Sequence, residues 1–572
     1  MVAIPQRSVP SRTDSLLFEA KAAVLRALRL AREAFAAERV TRHRRAVLLA
    51  QAPVLARVAS PLWSNFTGTK DRQLTAGKVQ NLRHALKGLD GIEVPAGEIV
   101  SFWKQVGRAS RGRGFVPGRE LREGCLISSV GGGLCQLSNA LYEAALQAGF
   151  EIVERHAHSR VVPGSRAQLG RDATVFWNYV DFRFRSPYAF RIEARMSRDQ
   201  LEVAFRGFGP AGSAMLQEAP ALPGLEAHDC TSCGRQDCHR NNPDRALHAG
   251  LPTAWLVDAG WPEFTALFKA TARKEDALLR PARLPGSARY AWPTGLVDTE
   301  KSAPVATLRR SLDLRGASGG SLQLKTMAAD ERLAAAYAAR LPHTHIHLMV
   351  AQNLLPHLWR AGVLQGRSFD VLMERLPLTV LQDRLDAAVR HHPESPTLAD
   401  FRASDAIVAA EAAALKAADL LFTPHAAIAA LDPRRTTLLD WAPAKPLSAR
   451  KGGRTVLFPA SALGRKGAHA LREAIQGLDI DLAVKGHARD CPAFWGNLPV
   501  RLLPAGETPA EIAAVVLPAL VEHQPRALLA AIAAGIPVIA TPACGLAPQP
   551  GLTLVPEDDA GALRAALKAA LG

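Results

Sequence analysis

Apolar residues near the amino end of the chain recur at every third or fourth position. Between Ser15 and Glu38 this spacing predicts an amphipathic helix that carries Leu16, Ala20, Val24, Leu28, Ala31 and Phe35 on one face, with arginines between them. Residues 180–207, VDFRFRSPYAFRIEARMSRDQLEVAFRG, instead alternate apolar and polar positions. Alternation of this kind indicates a β-hairpin.

The last third of the chain combines both patterns. Ala- and Leu-rich helical stretches separate short apolar runs, namely TVLFP at 455, DLAVKG at 481, AAVVLPAL at 513, IPVIAT at 536 and LTLVP at 552. Strands spaced by helices favour a parallel sheet flanked by helices. The predicted fold class is therefore multidomain α/β, with an amino-terminal α+β domain followed by two Rossmann-like parallel-sheet domains.

Length and composition agree with several domains. The chain has 572 residues, of which 48% are hydrophobic and 22% are charged. A chain of this length is too long for a single hydrophobic core. We expect a helical segment at 1–60, an α+β domain at 61–215, a cysteine-rich linker at 216–250 and α/β domains at 251–440 and 441–572. The formal net charge of +17 fits an anionic partner such as nucleotide phosphates, acidic lipid headgroups or nucleic acid, and charge alone does not choose among them. No specific nucleic-acid partner is expected.

The amino-terminal region has no apolar core typical of a signal peptide, and no apolar stretch is long enough to span a bilayer. These features predict a cytoplasmic protein. The first helix either docks on the body of the protein or makes a peripheral contact at the inner membrane face through its basic excess.

Three consecutive glycines precede a cysteine in SSVGGGLCQLSNALYEAAL, residues 128–146. Glycines in a row predict a tight turn, and the helical pattern that follows places Cys135 near the first turn of a helix. The free amide groups and the dipole at a helix start favour a thiolate, so Cys135 is a candidate nucleophile. The alternative is a small buried side chain in a crowded corner. Cys125 lacks the glycine context and is expected to be structural.

A second group of cysteines lies in EAHDCTSCGRQDCHRNNPD. Cys230, Cys233 and Cys238 have gaps that allow thiolates to meet on one metal ion, with either His228 or His239 as the fourth ligand. Zinc is the favoured ion, an iron–sulfur cluster is the second option, and a metal-free polar linker is the third.

The block GEIVSFWKQVGRASRGRGFVPGRELREGCLISSVGGGLCQLSNALYEAALQAGFEIVERHAHSR, continuing through GRDATVFWNYVDFRFRS, resembles the VanW family, named after an accessory gene of vancomycin-resistance clusters. The resemblance covers about residues 95–210. It implies an association with the cell envelope and makes a functional Cys135 more plausible.

Partners for this cysteine follow in the sequence. In FEIVERHAHSRVV, period-two spacing places His156 and His158 on one face of a predicted strand, and Asp172 follows in GRDATVFW. The order cysteine, histidine, aspartate resembles that of transglutaminase-like folds. A histidine would hold the thiolate, Asp172 would orient its ring, and Gln136 or the glycine amides would stabilise an oxyanion. Each of the three could instead be an ordinary structural residue.

The stretch LFPASALGRKGAHALREAIQGLDIDLAVKGHA, followed by VVLPALVEHQPRALLAAIAAGIPVIATPACGL, resembles the donor-binding half of a GT-B glycosyltransferase. The resemblance implies that Arg465 and Lys466 meet the diphosphate of a nucleotide-sugar, that Glu522 meets the sugar, and that Gly545 lines the phosphate end. The family has a second glutamate eight residues after the first, whereas this chain has Ala530, which puts donor binding in doubt.

The region 251–440 would then be the acceptor-side domain, with His357, Glu374 and His425 as candidate groups. Two hypotheses follow. In the first, the protein is a hexosyltransferase that moves a sugar from a nucleotide-sugar to a cell-envelope or surface-glycan precursor, with a Cys-dependent activity in the VanW-like module. In the second, both modules bind without catalysis, and the cysteine cluster senses metal or redox state.

Overall fold

A computed structural model describes residues 12–35, 40–63, 68–122, 125–158, 170–209, 251–285, 288–400, 402–504 and 506–571. The chain divides into two compact units. The first comprises residues 1–252 with the short segments 342–346 and 364–367, and the second comprises the remaining residues from 253 onward. The cysteine cluster around Cys230 lies outside the described residues.

The first unit is an α+β structure. Its helices are α1 (Arg12–Ala34), α2 (Thr69–Leu86), α3 (Phe102–Val106) and α4 (Cys135–Gln147). Its strands are β1 (Arg44–Arg45), β2 (Val54–Pro61), β3 (Ile92–Val94), β4 (Ile99–Ser101), β5 (Pro117–Arg122), β6 (Cys125–Val130), β7 (Glu151–Glu154), β8 (Arg183–Arg185), β9 (Phe190–Met196) and β10 (Gln200–Gly207).

Three antiparallel sheets form this unit, with strand orders β1-β3-β9-β10-β2, β4-β8-β7 and β5-β6. The predicted hairpin is confirmed, since β9 pairs with β10 from Leu201 opposite Met196 to Gly207 opposite Phe190. Phe150 stacks on Phe205 with ring centroids 5.5 Å apart, and α4 shares this core through its apolar face.

Two features of the amino-terminal segment differ from expectation. The helix ends at Ala34, and β1 and β2 follow it and join the five-stranded sheet. The predicted apolar face also does not dock, since Leu16 is 71% exposed and Val24 is 61% exposed. Helix α1 instead contacts its own unit through Phe18 and a row of charged side chains, with Arg29 donating to Glu154 at 2.7 Å. Ion pairs on the opposite face therefore decide the docking orientation.

The second unit contains two parallel sheets. Its helices are α5 (Pro262–Thr271), α6 (Pro304–Asp313), α7 (Gly319–Ala338), α8 (Leu355–Arg360), α9 (Leu378–His391), α10 (Asp405–Ala417), α11 (Ala426–Ala429), α12 (Ala468–Ala474), α13 (Arg526–Ala533) and α14 (Ala560–Leu571). The strands of the first sheet are β11 (Thr253–Leu256), β12 (Ala277–Pro281), β13 (Thr299–Ala303), β14 (His347–Ala351), β15 (Ser368–Leu372), β16 (Leu421–Thr423) and β17 (Thr436–Leu438).

The strands of the second sheet are β18 (Arg450–Phe458), β19 (Asp481–Val484), β20 (Val500–Leu502), β21 (Glu511–Leu517), β22 (Val538–Ala540) and β23 (Leu552–Leu554). Each of the five apolar runs predicted as strands is a strand here. The sheet orders are β13-β12-β11-β14-β15-β16-β17 and β20-β19-β18-β21-β22-β23, with parallel pairing throughout.

Both sheets reverse their order between the first and fourth strands, as in a Rossmann fold. The predicted α/β class with two Rossmann-like domains is confirmed. In such sheets ligands bind beyond the carboxyl ends of the strands at the point of reversal. No helix within the described ranges is long and apolar enough to cross a membrane.

Candidate active sites

The glycine turn in the first unit holds Cys135 at the start of α4. Gly131 and Gly133 have φ of +83° and +95°, in the left-handed region that favours glycine. A Cβ on Gly132 would lie 2.6 Å from the carbonyl carbon of Gly118, so the turn packs directly on another backbone segment. Cys135 is the first residue of the 13-residue helix that follows. Its half-buried thiol therefore lies at the positive end of the helix dipole.

Asp172 orients His158 but not His156. The Nδ1 atom of His158 lies 2.5 Å from Oδ2 of Asp172, and the backbone N–H of His158 donates to the same oxygen at 2.7 Å. His156 faces Glu154, with Nε2 3.2 Å from Oε1. Both histidines lie beyond β7, which ends at Glu154, so the predicted strand does not carry them.

Asp172 also lies outside a strand, in a segment that packs on α4. The backbone N–H of Ala173 donates to Asn139 Oδ1 at 2.7 Å, and Ser138 Oγ donates to Ala173 O at 2.6 Å. Arg155 donates to Asp172 Oδ1 at 2.9 Å. These side-chain hydrogen bonds, and not a strand ladder, hold the segment in place.

The electrostatics of this group favour a thiolate–imidazolium pair. Burial opposes ionisation of Cys135, but hydrogen bonding and the charge of His158, with the Val175 N–H and the Thr174 hydroxyl, lower the pKa of the thiol below its ordinary value. Burial also opposes charge on His158, yet Asp172 and Cys135 together raise the pKa of its imidazole to about 10. Because Asp172 holds Nδ1, the other ring nitrogen is left for the thiolate.

Cys135 and His158 line an open cavity of about 850 Å³ in the first unit. Three aromatic side chains, Trp103, Trp177 and Tyr179, form part of its wall. Sequence reasoning missed Lys78, which lines the same cavity. Burial and the neighbouring Arg119 lower the pKa of its ammonium group to about 7. The cavity therefore offers an apolar wall, cationic groups and one activated thiol.

Two kinds of oxyanion donor were predicted, the side chain of Gln136 and the backbone amides of the glycine turn. The structure gives them different hydrogen-bond partners. Both contacts of the Gln136 amide nitrogen go to β2, at 2.9 Å from Ser60 Oγ and 2.8 Å from Pro61 O, so this side chain is already engaged. Within the described ranges no acceptor is found for the backbone N–H groups of Gly133 and Cys135. These amides are the donors that remain for an oxyanion.

Two of the four predicted donor residues, Lys466 and Glu522, meet at the reversal point of the second parallel sheet. Lys466 follows β18 and Glu522 follows β21, and Lys466 Nζ donates to Glu522 Oε2 at 2.8 Å. Arg465 points elsewhere, with Nη1 3.7 Å from Asp400 Oδ2. Gly545 has φ of +72°, and a Cβ there would lie 2.4 Å from the His425 ring. Lys466 and Arg465 thus hold separate carboxylates.

A second cavity of about 800 Å³ lies within the second unit at the carboxyl ends of both parallel sheets. Asp258, Asn353 and Glu374 line it, each just after a strand of the first sheet. Arg465 and His523 line it from the second sheet. This is where the strand-order rule places a ligand.

Charged groups are concentrated in this cavity. Arg310 donates to both oxygens of Asp258, at 3.0 and 2.9 Å, and lies 3.1 Å from Asp330. Burial, with the charges of Asp258 and Asp330, raises the pKa of Glu374 to about 8. Its carboxyl group is therefore largely protonated at neutral pH, a property that sequence reasoning did not foresee.

Other candidate groups on the acceptor side have different surroundings. His357 lines the cavity, and burial lowers the pKa of its imidazole. The Nε2 atom of His425 lies 3.0 Å from the backbone oxygen of Glu522 and 3.2 Å from that of Ala543. His425 therefore fastens two loops of the second unit and leaves no nitrogen for a substrate.

Comparison with known proteins shows that the cavity around Cys135 belongs to a VanW-like domain. Residues 77–206 match the family model described as VanW like protein. Over 118 residues the chain is 39% identical to the uncharacterized protein YoaR of Bacillus subtilis (strain 168), a match that covers 21% of this chain and 38% of YoaR.

The Vancomycin B-type resistance protein VanW of Enterococcus faecalis (strain ATCC 700802 / V583) is 34% identical over 130 residues, covering 22% of this chain and 46% of that protein. The chain thus spans less than half the length of both curated relatives.

Solved structures similar to this chain include glycosyltransferases. The sucrose-phosphate synthase of Thermosynechococcus elongatus is 15% identical, covers 56% of this chain and 89% of its own, and has a TM-score of 0.37. The Anabaena HepE protein in complex with UDP and glucose is 14% identical, with coverage of 56% and 89% and a TM-score of 0.32.

Proposed function

We propose that the VanW-like unit catalyses a cysteine-dependent acyl transfer, with Cys135 as the nucleophile. The observation that carries this proposal is that Cys135 and His158 line one open cavity, while the buried carboxylate of Asp172 holds the His158 ring. A thiol with a lowered pKa, an imidazole that can hold a proton and a carboxylate that fixes its ring are the groups this chemistry requires.

Each bond change has a group assigned to it. The thiolate Sγ of Cys135 attacks a carbonyl carbon, and the carbonyl oxygen becomes an oxyanion that the amides of Gly133 and Cys135 can stabilise. The carbon–leaving-group bond then breaks, and His158 gives its proton to the departing atom. A water or amine next attacks the thioester while His158 takes its proton, which releases the acyl group and restores the thiolate.

An activated ester tests this step directly. With p-nitrophenyl acetate, the wild-type protein should release a burst of nitrophenol and carry an acetyl group on Cys135, detected by peptide mass spectrometry. Cys135→Ala should abolish the burst and His158→Ala should slow it, whereas His156→Ala is the matched control. An unchanged burst in Cys135→Ala would overturn the assignment.

We further propose that the second unit transfers a sugar from a nucleotide-sugar. This proposal is supported by the cavity at the carboxyl ends of two Rossmann-ordered sheets, where cationic groups such as Arg465 face the ligand space. Arg465 and Lys466 would meet the diphosphate once it displaces their present partners Asp400 and Glu522, and Glu522 would then be released toward the sugar.

Calorimetry with a panel of nucleotide-sugars tests this second function. Arg465→Ala should weaken the binding by at least tenfold, because a hydrogen bond to a charged group contributes about 1.5–3 kcal/mol. Ala530→Glu restores the acceptor of the GT-B pattern and should tighten binding. If wild type and both variants bind none of the panel, the unit has a transferase-like fold without a donor site.

The relative from Enterococcus is named for vancomycin resistance, which supports a cell-envelope or surface-glycan precursor as the acceptor class. We propose a cytoplasmic protein with a peripheral contact at the inner membrane face. Exposed apolar residues of α1, including Leu16, Leu17 and Leu28, support that contact. Sedimentation with anionic vesicles should recover the wild type, and Leu16→Ser/Leu28→Ser should remain in solution. Equal recovery of both forms would exclude α1 as the contact.

Zinc at Cys230, Cys233, Cys238 and His239 stays a proposal, since these residues lie outside the described ranges. Purified protein should carry about one equivalent of zinc at this cluster. The variant with Cys230, Cys233 and Cys238 changed to serine should lose that equivalent. An unchanged zinc content after the triple substitution would contradict this assignment.

A further inference from the structure

We infer that the second unit contains a site for a divalent transition-metal ion, formed by His392, Glu394 and His469. Their ligand atoms all lie within 4.8 Å of one another. His392 and Glu394 follow α9 on the first parallel-sheet lobe, and His469 lies in α12 on the second lobe. A bound ion would therefore link the two lobes. Neither proposed activity uses these residues.

Each of the two imidazoles already contacts a carboxylate through one ring nitrogen, as metal-binding histidines do. Nε2 of His469 lies 3.1 Å from Asp490 Oδ2, and Nε2 of His392 lies 2.9 Å from Asp558 Oδ1. If each Nε2–H donates to its carboxylate, each Nδ1 carries a bare lone pair. Metal-binding histidines characteristically donate their other ring N–H to a carboxylate, which fixes the tautomer and makes the ligand atom more basic.

The two lone pairs face a third electron-rich atom. Nδ1 of His469 lies 3.4 Å from Glu394 Oε1, and Nδ1 of His392 lies 3.9 Å from the same oxygen. His469 is only 5% exposed, and its Nδ1 finds no hydrogen-bond partner within the described part of the chain. A buried lone pair beside a carboxylate requires a cation between them, either a proton or a metal ion.

The spacing fits a small ion. Zinc binds imidazole nitrogen at about 2.0–2.1 Å and carboxylate oxygen at about 2.0–2.2 Å, so ligands of a tetrahedral site are about 3.3 Å apart. The His469 distance to Glu394 of 3.4 Å matches that value, and the His392 distance of 3.9 Å is somewhat longer. The rings of His392 and His469 now stack at 18° with centroids 4.5 Å apart, so one must turn to bring its lone pair onto the ion. His392 is the more exposed of the two, with a side chain 21% exposed against 5% for His469.

The ligand types select the metal class. Two imidazoles and one carboxylate suit zinc and neighbouring first-row ions, whereas magnesium and calcium prefer oxygen ligands. Asp490 couples the site to the adjacent loop, because its Oδ2 also accepts the backbone N–H of Gly464 at 3.0 Å. Gly464 begins the turn that carries Arg465 and Lys466. Occupancy would thus steady the loop that precedes α12.

Zinc chloride titration by calorimetry tests the site in the full chain with Cys230, Cys233 and Cys238 changed to serine, which removes the thiolates. We expect about one equivalent of zinc, and at least tenfold weaker binding in His392→Ala. The matched control is His391→Ala, because His391 contacts the same Asp558 at 3.0 Å but does not face Glu394. Asp558→Asn should weaken binding about 10- to 100-fold, the usual cost of removing an outer partner.

A second measurement needs no substitution at the site. Zinc should protect His392 and His469 of the same thiol-free protein from diethyl pyrocarbonate, read by peptide mass spectrometry, while His391 stays reactive. Absence of zinc binding, equal weakening by His391→Ala and His392→Ala, or unprotected ligand histidines would each overturn the inference. None of these readouts depends on sugar transfer. A failed zinc experiment can therefore be told apart from a failure of the proposed sugar-transfer function.

Discussion

Replacing His158 with alanine is the sharpest test of the thiolate at Cys135. The substitution removes the group that lowers the pKa of the thiol and leaves the burial that raises it. His158 itself is held by Asp172 at 2.5 Å, and in the variant this carboxylate loses its charged partner. We therefore expect the thiol to become protonated at neutral pH.

The magnitude follows from the ionised fraction. An ordinary thiol with a pKa of about 8.5 is about 3% thiolate at pH 7, so full ionisation would increase the reactive form about thirtyfold relative to such a thiol. A less basic thiolate is also less nucleophilic, which reduces that gain by a factor of several. We expect His158→Ala to slow alkylation of Cys135 by roughly 5- to 10-fold at pH 7.

The assay is iodoacetamide labelling of each cysteine, followed by peptide mass spectrometry across a range of pH. Wild-type Cys135 should label at a rate nearly independent of pH near neutrality, whereas in His158→Ala the rate should keep rising above pH 8. Exposed Cys491 is an internal reference for the reagent. Buried Cys544 should stay unlabelled, because burial and the charge of Glu522 raise the pKa of its thiol to about 12.

His156→Ala is the matched control, because His156 lies two residues away and contacts Glu154 instead of Asp172. It should label like the wild type. Equal rates in wild type and His158→Ala, or an equal loss in both histidine variants, would refute the proposed pair.

Other predictions concern stability. Gly133→Ala should lower the free energy of unfolding in urea by about 1–3 kcal/mol, because a Cβ there would lie 2.1 Å from Lys78 Cγ at a φ of +95°. Gly149→Ala is the control and should lower it by less, because nothing lies within 4 Å of a Cβ at that position. Arg526→Ala should cost about 3 kcal/mol, because it strands the fully buried carboxylate of Glu263; a loss below about 1 kcal/mol would contradict this. The pKa of His158 is raised to about 10 in the folded state, so its pairing stabilises fully below pH 6.5 and is lost as the pH rises through 10. The deficit of Asp172→Asn in unfolding free energy should therefore shrink between pH 7 and pH 10, and a constant deficit would contradict the pairing.

Periodicity in the sequence was sufficient for some of the regular elements. The hairpin of β9 and β10 and five of the six strands of the last sheet were predicted because their apolar residues lie on a continuous buried face, which constrains the pattern directly. The helix start at Cys135 was predicted because three glycines and a long helical pattern are local signals. Strand order was not predictable in detail, since it depends on which strands pair across the sheet.

The glycine turn also illustrates what local sequence contributes to a site. It predicted a thiol at a helix start, and the structure adds why glycine is needed, since Gly132 packs on the backbone of Gly118. His158 and His156 were equivalent in sequence because a strand was expected to carry both. The strand ends earlier, and the Asp172 carboxylate selects His158.

The sequence by itself determined the fold class and the VanW-like segment, because both depend on neighbouring positions, and it supplied candidates for the nucleophile and the phosphate ligands. Only the tertiary structure decided which of these residues meet. His392 and His469 are far apart in the chain and carry no motif, yet helix packing brings their rings to 4.5 Å. Likewise, burial in the cavity, together with the charges of Asp258 and Asp330 across it, raises the pKa of Glu374. Electrostatic environment depends on distance in space, and that distance is set by the packing of elements remote in sequence.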